Sequence, residues 1–252
     1  MAMSFLVAFL VGFVAESIDG ALGMAYGLIS TTVMLSFGYP PAVASASVHM
    51  AEIVTAGVSG LSHRRLGNVR TAIVRALLLP GVVGGLLGVY VLTSVPTAYL
   101  RPVVAGYILA MGLVGIIRVL RQAPVTEVRS RLPALGLVGG LCDAMGGGGW
   151  GQVVTSTLIA RGNPVRYTVG SVTFTEFFVA LAESGAFLLT IGIQDWRIVG
   201  GLMLGGALAA PLAAWTASRL PNRPFAIAVG VFVVATSAHI LRESLPALLR
   251  LL

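Results

Sequence analysis

Long apolar runs separated by short polar punctuation dominate the pattern of this chain. Runs near 41–62, 70–94, 98–120, 164–192, 196–218 and 222–245 each reach the roughly 20 residues that an α-helix needs to cross a bilayer core. Two further runs, 4–37 and 133–160, are long but interrupted by Asp and Gly. As one straight helix, residues 4–37 would extend about 51 Å, against a hydrocarbon core of about 30 Å. A break near Asp19 to Gly23 is therefore expected, and the same argument places one around Asp143 to Gly149. Each broken run is either a re-entrant helical hairpin or a tilted span with an unwound middle. Both demand that the non-helical backbone be buried in protein or line a wet cavity.

Composition sharpens this picture. Of 252 residues, 57% are hydrophobic and only 10% charged, with a mean hydropathy of +0.95. Soluble domains carry about one-quarter charged residues, so an all-α integral membrane protein is expected and a soluble globular domain is excluded. The start, MAMSFLVAFLVGF, has no basic region ahead of its apolar run, so a removable signal peptide is not expected. A single cysteine, Cys142, excludes an intramolecular disulfide and a cysteine metal cluster. The net charge of +7 does not indicate nucleic acid, because all sixteen basic residues are Arg and nearly all sit in loops or at run ends.

Those arginines act as topology signals. The HRRLGNVR turn at 63–70 and the linker at 118–133 hold Arg64, Arg65, Arg70, Arg118, Arg121, Arg129 and Arg131, and both are expected to face the cytoplasm. The linker is the only long polar stretch. It divides the chain into an N-terminal membrane repeat (1–120), a basic cytoplasmic linker (121–132) and a C-terminal membrane repeat (133–252).

The halves resemble each other at a constant offset of 124 residues. Asp19 falls on Asp143, Gly23 on Gly147, Tyr26 on Trp150, Gly27 on Gly151, Thr31 on Thr155, Gly38 on Gly162, Pro40 on Pro164, Ser47 on Ser171 and Glu52 on Glu176. With only nine acids in the chain, two acid-on-acid matches are hard to attribute to chance. Duplicated, broken apolar segments are a signature of secondary transporters, whose sites lie near the bilayer midplane between repeats. Hairpins would leave three full spans per half and an inverted repeat, whereas full spans would give four per half and a parallel one. About 6–8 transmembrane spans are expected, with inversion favoured because transporters commonly use it.

The paired stretches IDGALGMAYG and CDAMGGGGWG, each followed by Thr or Ser and then by G-[YN]-P, resemble the repeated motifs of the sulfite exporter (TauE/SafE) family of membrane transporters. The resemblance covers nearly the whole chain. It implies transport of a small anion such as sulfite, an organosulfonate or another small sulfur-containing or organic anion. It also implies outward movement through a bacterial cytoplasmic (inner) membrane.

Glycine-rich backbone beside a carboxylate raises a second possibility, a phosphate cradle. No Lys-Ser/Thr pair follows the tract and its spacing is not that of a dinucleotide fingerprint, so nucleotide binding is set aside. Four glycines in succession from Gly146 to Gly149 disfavour helix and leave N–H groups for a small anion at half-helix ends. GVVGGLLG (81–88) and GGLMLGGALAA (200–210) read instead as close helix packing. Candidate substrate-binding residues are Gly23, Tyr26, Gly27, Ser47, Gly147, Gly148, Gly149, Trp150, Gln152 and Ser171. Hydroxyls on these segments, Ser45 and Thr168 among them, could equally satisfy helix backbone.

Acids within apolar segments must be protonated, paired or wet, because an ionised one at the bilayer centre costs about 2.5–3.5 kcal/mol. Glu16, Asp19, Glu52, Asp143, Glu176 and Glu183 are in that position. Asp19, His49, Glu52, Asp143 and Glu176 are the candidates for proton coupling or gating. His49 stands three positions before Glu52, on the same helical face. Glu52 and Glu176 each lie twelve residues past a G-x-P turn, about 18 Å along a continuous helix and so near the midplane. The alternative is structural, with neutral acids bonding broken-helix carbonyls.

The same residues admit rival classes. GVSG at 57–60 matches a rhomboid-protease pattern, with His239 as a conceivable base, but the Trp196-Arg197 pair follows the serine where that family's order has it elsewhere. An enzyme is not expected. A passive anion channel would share the site but would need no titratable relay. No cofactor is expected, and no metal, since His49, His63 and His239 are scattered. The lipid bilayer and the anion are the expected partners, and a homodimer is compatible with the sequence.

Overall fold

The computed structural model describes residues 3–24, 26–121, 131–161, 163–216 and 222–249. Ten α-helices and one π-helical turn make up these residues: α1 (Phe5–Leu22), α2 (Tyr26–Ser36), α3 (Pro41–Arg65), α4 (Thr71–Ser94), α5 (Thr97–Arg121), α6 (Leu132–Gly146), the π turn (Gly151–Thr155), α7 (Ser156–Ala160), α8 (Val165–Thr190), α9 (Trp196–Thr216) and α10 (Asn222–Leu249). Most of the basic linker, including Arg129, lies outside the described residues, as do Gly162, Arg219 and Arg250.

The all-helical expectation holds, and among the described residues four helices are long and apolar enough to cross a membrane: Pro41–Arg65, Thr71–Ser94, Thr97–Ile117 and Arg166–Thr190. Acids and a histidine are buried within the apolar interior, and many large apolar side chains face outward. Glu16, His49, Glu52, Asp143 and Glu183 are buried, while Leu79 and Leu189 are 71% and 88% exposed. In water that arrangement would be unstable, but in lipid it places apolar side chains against acyl tails.

Both long runs break where their length requires. Ser4 caps α1 by accepting the Val7 N–H at 3.3 Å, and α1 ends on Gly23, whose φ of 68° suits a residue without a side chain. The chain then turns back. The Met3 N–H reaches the Tyr39 hydroxyl at 3.2 Å, so the end of α2 lies beside the start of α1 and the run is a hairpin. Arg101, near the start of α5, donates to the Leu35 carbonyl at 3.1 Å and ties that helix to the same end. In the second half α6 stops on Gly147 with a φ of 64°, and the chain resumes through the π turn into α7.

The 63–70 turn meets the beginning of α8. Arg166 donates to the Leu66 carbonyl at 3.1 Å and also bonds the Asn68 side chain. The Arg70 N–H donates to Ser171 Oγ at 2.8 Å, and the Arg70 guanidinium lies 4.4 Å from the Tyr167 ring centre. The C-terminal end of α3 and the N-terminal end of α8 therefore share one side of the molecule.

The main helix contacts are α1 with α9, α4 with α6, α5 with α10 and α3 with α8. Glycine allows the first two pairs to approach closely. A Cβ on Gly205 would overlap the Phe9 carbonyl, and one on Gly84 or Gly140 would overlap the backbone of Leu137 or Gly81.

Candidate functional site

The two breaks are built alike around their aspartates. Asp19 Oδ1 accepts the Tyr26 N–H at 3.2 Å, and the Asp19 carbonyl accepts the Gly23 N–H at 2.5 Å. Asp143 Oδ1 accepts the N–H groups of Gly149 at 2.7 Å and Trp150 at 2.9 Å, while its carbonyl accepts those of Gly147 and Gly148. Each aspartate thus caps the helix that follows its turn. The N–H groups expected to cradle an anion across Gly147, Gly148 and Gly149 are engaged by Asp143. The tract has bare backbone for another reason: a Cβ on Gly148 would overlap Gly27, and one on Gly147 would overlap Thr31. The two turns cross backbone to backbone, and Thr31 Oγ1 donates to the Gly147 carbonyl at 2.5 Å.

A narrow cleft of ≈ 10 Å³, room for about one water, lies at this crossing. Its walls include the first turn of α2 (Tyr26, Gly27), the start of the π turn (Gly151, Gln152) and the carboxylates of Asp19, Glu52 and Glu176. Gln152 spans it, donating from Nε2 to the Met24 carbonyl at 2.9 Å. A second, adjoining cleft, also of ≈ 10 Å³, is lined by Glu16, Asp19, Glu52 and Glu176 together with Thr55, Ser59 and Thr173. Glu52 and Glu176 border both, each as the twelfth residue of its helix, α3 or α8.

Several candidates stand elsewhere. Trp150 is fully buried among apolar neighbours and donates from Nε1 to the Val172 carbonyl at 3.2 Å, so it packs the start of the π turn against α8. Tyr26 lines the cavities, yet its hydroxyl donates to the Leu202 carbonyl of α9 at 3.0 Å. Ser47 bonds its own helix at Val43, and Ser171 accepts from Arg70. Gly23 and Gly147 serve as left-handed caps. Of the substrate candidates, Tyr26, Gly27, Gly148, Gly149 and Gln152 border the first cavity.

His49 is brought to three acids at once. Its Nε2 lies 2.7 Å from Glu183 Oε2, 3.6 Å from Asp143 Oδ2 and 3.9 Å from Glu52 Oε2. Its Nδ1 is 2.8 Å from the Ser45 carbonyl, which can only accept, so Nδ1 carries a proton. Ser45 Oγ in turn donates to the Ala144 carbonyl at 2.6 Å and ties the histidine's helix to the end of α6. Gly85 of α4 leaves room for the Glu183 carboxylate, which a Cβ there would overlap.

Glu183 and Glu16 are intramembrane acids outside the set of substrate-binding and proton-coupling candidates. Glu183 lies seven residues after Glu176, two helical turns along the same face, and that spacing was the available signal. The scattered histidines concealed the His49, Asp143 and Glu183 grouping, because its members come from α3, α6 and α8. Ser59 lines the second cavity, whereas His239 sits on α10 with its side chain 65% exposed, 3.4 Å from Glu243.

Residues 8–240 match the family model described as sulfite exporter TauE/SafE. The chain belongs to this family. It is also 40% identical over 241 residues to the probable membrane transporter protein YtnM of Bacillus subtilis (strain 168), which covers 92% of this chain and 80% of that relative. This TauE/SafE protein is accordingly a membrane transporter, and its apolar helices are those of an integral membrane protein. The family and the relative are described as transporters rather than enzymes.

Proposed function

We propose that this TauE/SafE protein is a secondary transporter that carries a small anion, sulfite or an organosulfonate, outward across the bacterial cytoplasmic membrane by alternating access, with a proton carried on Glu176. The observation that carries the reading is the first cavity, where the first turns of two helices from opposite halves converge with Glu52 and Glu176. Each helix N-terminus contributes about half a positive charge. The caps Asp19 and Asp143 already offset both, so ionised glutamates would make the cavity repel an anion. A protonated glutamate removes that repulsion, and anion and proton then bind together.

Glu176 is the better proton carrier of the duplicated pair. Glu52 lies 3.9 Å from His49, while the position corresponding to His49 on α8 is Thr173, which holds no charge. The groups facing Glu176 are Glu16 and Asp19 from α1, Tyr26 from α2 and Glu52 from α3, with no Lys or Arg among the described lining residues. Release of the proton with the anion lets the cycle run either way, so export follows from a high internal concentration of the anion.

An inverted repeat fits the packing. Pairing of α1 with α9 and α4 with α6 is what a two-fold relation between halves requires, as is self-pairing of α3 with α8 and α5 with α10. Contacts between the 63–70 turn and Arg166 support opposite directions for α3 and α8.

Flux in proteoliposomes tests the reading. Radiolabelled sulfite or methanesulfonate should be carried at a rate that rises toward acid pH, by up to about tenfold per unit for one required proton. Glu176→Gln should still bind the anion but show a flat profile between about pH 5.5 and 8. If neither anion moves, the substrate class is wrong. A wild-type profile in the glutamine variant would remove the proton from Glu176.

A further inference from the structure

The cluster around His49 adjoins the two cavities through Glu52, but a proton carried on Glu176 makes no use of His49 or Glu183. We propose that His49, Asp143 and Glu183 form a binding site for a first-row divalent cation, Zn²⁺ or Mn²⁺, with Glu52 as the fourth ligand at the side open to the cavities.

Unsatisfied chemistry at one point is the first argument. His49, Asp143 and Glu183 are each fully buried and Glu52 is 3% exposed. Nonetheless His49 Nε2, Asp143 Oδ2, Glu52 Oε2 and both Glu183 oxygens lack a well-aligned hydrogen bond among the described residues. Because Nδ1 holds its proton on the Ser45 carbonyl, a neutral His49 would point a bare lone pair at three carboxylate oxygens. Either several protons on the acids or one cation must lie between them. A single proton shared between Nε2 and Glu183 would answer for one of these contacts and leave the other two acids uncompensated.

Geometry is the second argument. Tetrahedral ligands about 2.1 Å from a cation stand about 3.4 Å from one another. Nε2 is 2.7, 3.6 and 3.9 Å from its three neighbours, and the His49, Asp143 and Glu183 donor atoms all lie within 4.8 Å of each other. Small side-chain shifts would admit a cation at their centre. A histidine whose other nitrogen donates to a backbone carbonyl is also oriented as metal-bound imidazoles are. Asp143 is fixed in the same way, with Oδ1 held by the Gly149 and Trp150 N–H groups and Oδ2 left to bind. One imidazole with three carboxylates suits Zn²⁺ or Mn²⁺ better than a soft ion such as Cu(I).

The offset of 124 residues gives the cluster a counterpart. His49, Glu52, Asp143 and Glu183 correspond to Thr173, Glu176, Asp19 and Ser59, all of which line the second cavity. At equivalent places one half holds a tight nitrogen-and-carboxylate cluster and the other a hydroxyl-lined space.

The test is titration of chelator-stripped, purified full-length protein in detergent with Zn²⁺ and, separately, Mn²⁺, followed by calorimetry. One equivalent per chain is expected for at least one of the two ions. His49→Gln and Glu183→Gln should each weaken it at least about 100-fold. His239→Gln, which removes the exposed His239–Glu243 pair, should leave it unchanged. Asp143→Asn keeps the capping oxygen but loses the ligand, so it carries the test if Glu183→Gln does not fold. The proposal is overturned if the wild type binds neither ion stoichiometrically, if binding survives all the cluster substitutions, or if His239→Gln abolishes it. Absence of binding would leave proton sharing between His49 and Glu183 as the account of the cluster.

Discussion

Asp143 divides its carboxylate between two tasks, with Oδ1 capping a helix and Oδ2 facing His49 at 3.6 Å. Removing the side chain with Asp143→Ala would strand two buried N–H groups, at a cost of about 2–4 kcal/mol. Asp143→Asn can keep the Oδ1 bonds and should cost no more than about half as much. Denaturant unfolding in detergent compares the two, and equal losses would deny the capping role. The same residue marks the limit of legibility at this scale. Asp and Gly at the breaks were readable because helix length forces a break. That the carboxylate would occupy the glycine N–H groups was not readable, since an aspartate six residues ahead looks the same in sequence whether it folds back or not. Trp150 shows the other failure: at offset 124 it matches Tyr26, but its indole packs on Val172 while Tyr26 borders the cavities.

At the scale of elements, the first hairpin bears on topology. Tyr39 beside Met3 returns the first broken run to the side on which it starts, and among the described residues of the first half α3, α4 and residues 97–117 of α5 are long and apolar enough to cross. With the arginine-rich 63–70 turn on the cytoplasmic side, the start of α8 lies there too, and the 191–195 turn after α8 faces outward in the inverted reading. Two cysteine variants in a Cys142→Ser background examine this. Gln194→Cys should react with an impermeant maleimide in intact cells, whereas Leu66→Cys, at an exposed position, should react only after the membrane is opened. The reverse pattern at Gln194 would require a parallel repeat. Hydropathy alone located the breaks and the ends of most helices. It could not choose between hairpin and tilted span, because that choice rests on contacts such as Arg101 to Leu35 that link residues far apart in the chain.

For the whole molecule, the consequence of a proton on Glu176 is a statement about charge. One proton carried with a monoanion moves no net charge, so the final distribution of methanesulfonate across the wild-type proteoliposome should not respond to membrane potential. Glu176→Gln is permanently neutral, and any anion it still carries travels alone. A potential of 100 mV acts on one uncompensated charge with about 2.3 kcal/mol, which corresponds to about a 50-fold shift in the equilibrium ratio. Setting the potential with potassium gradients and valinomycin, at equal pH on both sides, separates the cases without relying on rates. A wild-type distribution that follows the potential would mean that the anion crosses without its proton. A variant that stays indifferent to potential while still transporting would place the compensating proton on another of the buried acids, with Glu52 and Glu16 the next to be replaced because they border the same cavity as Glu176.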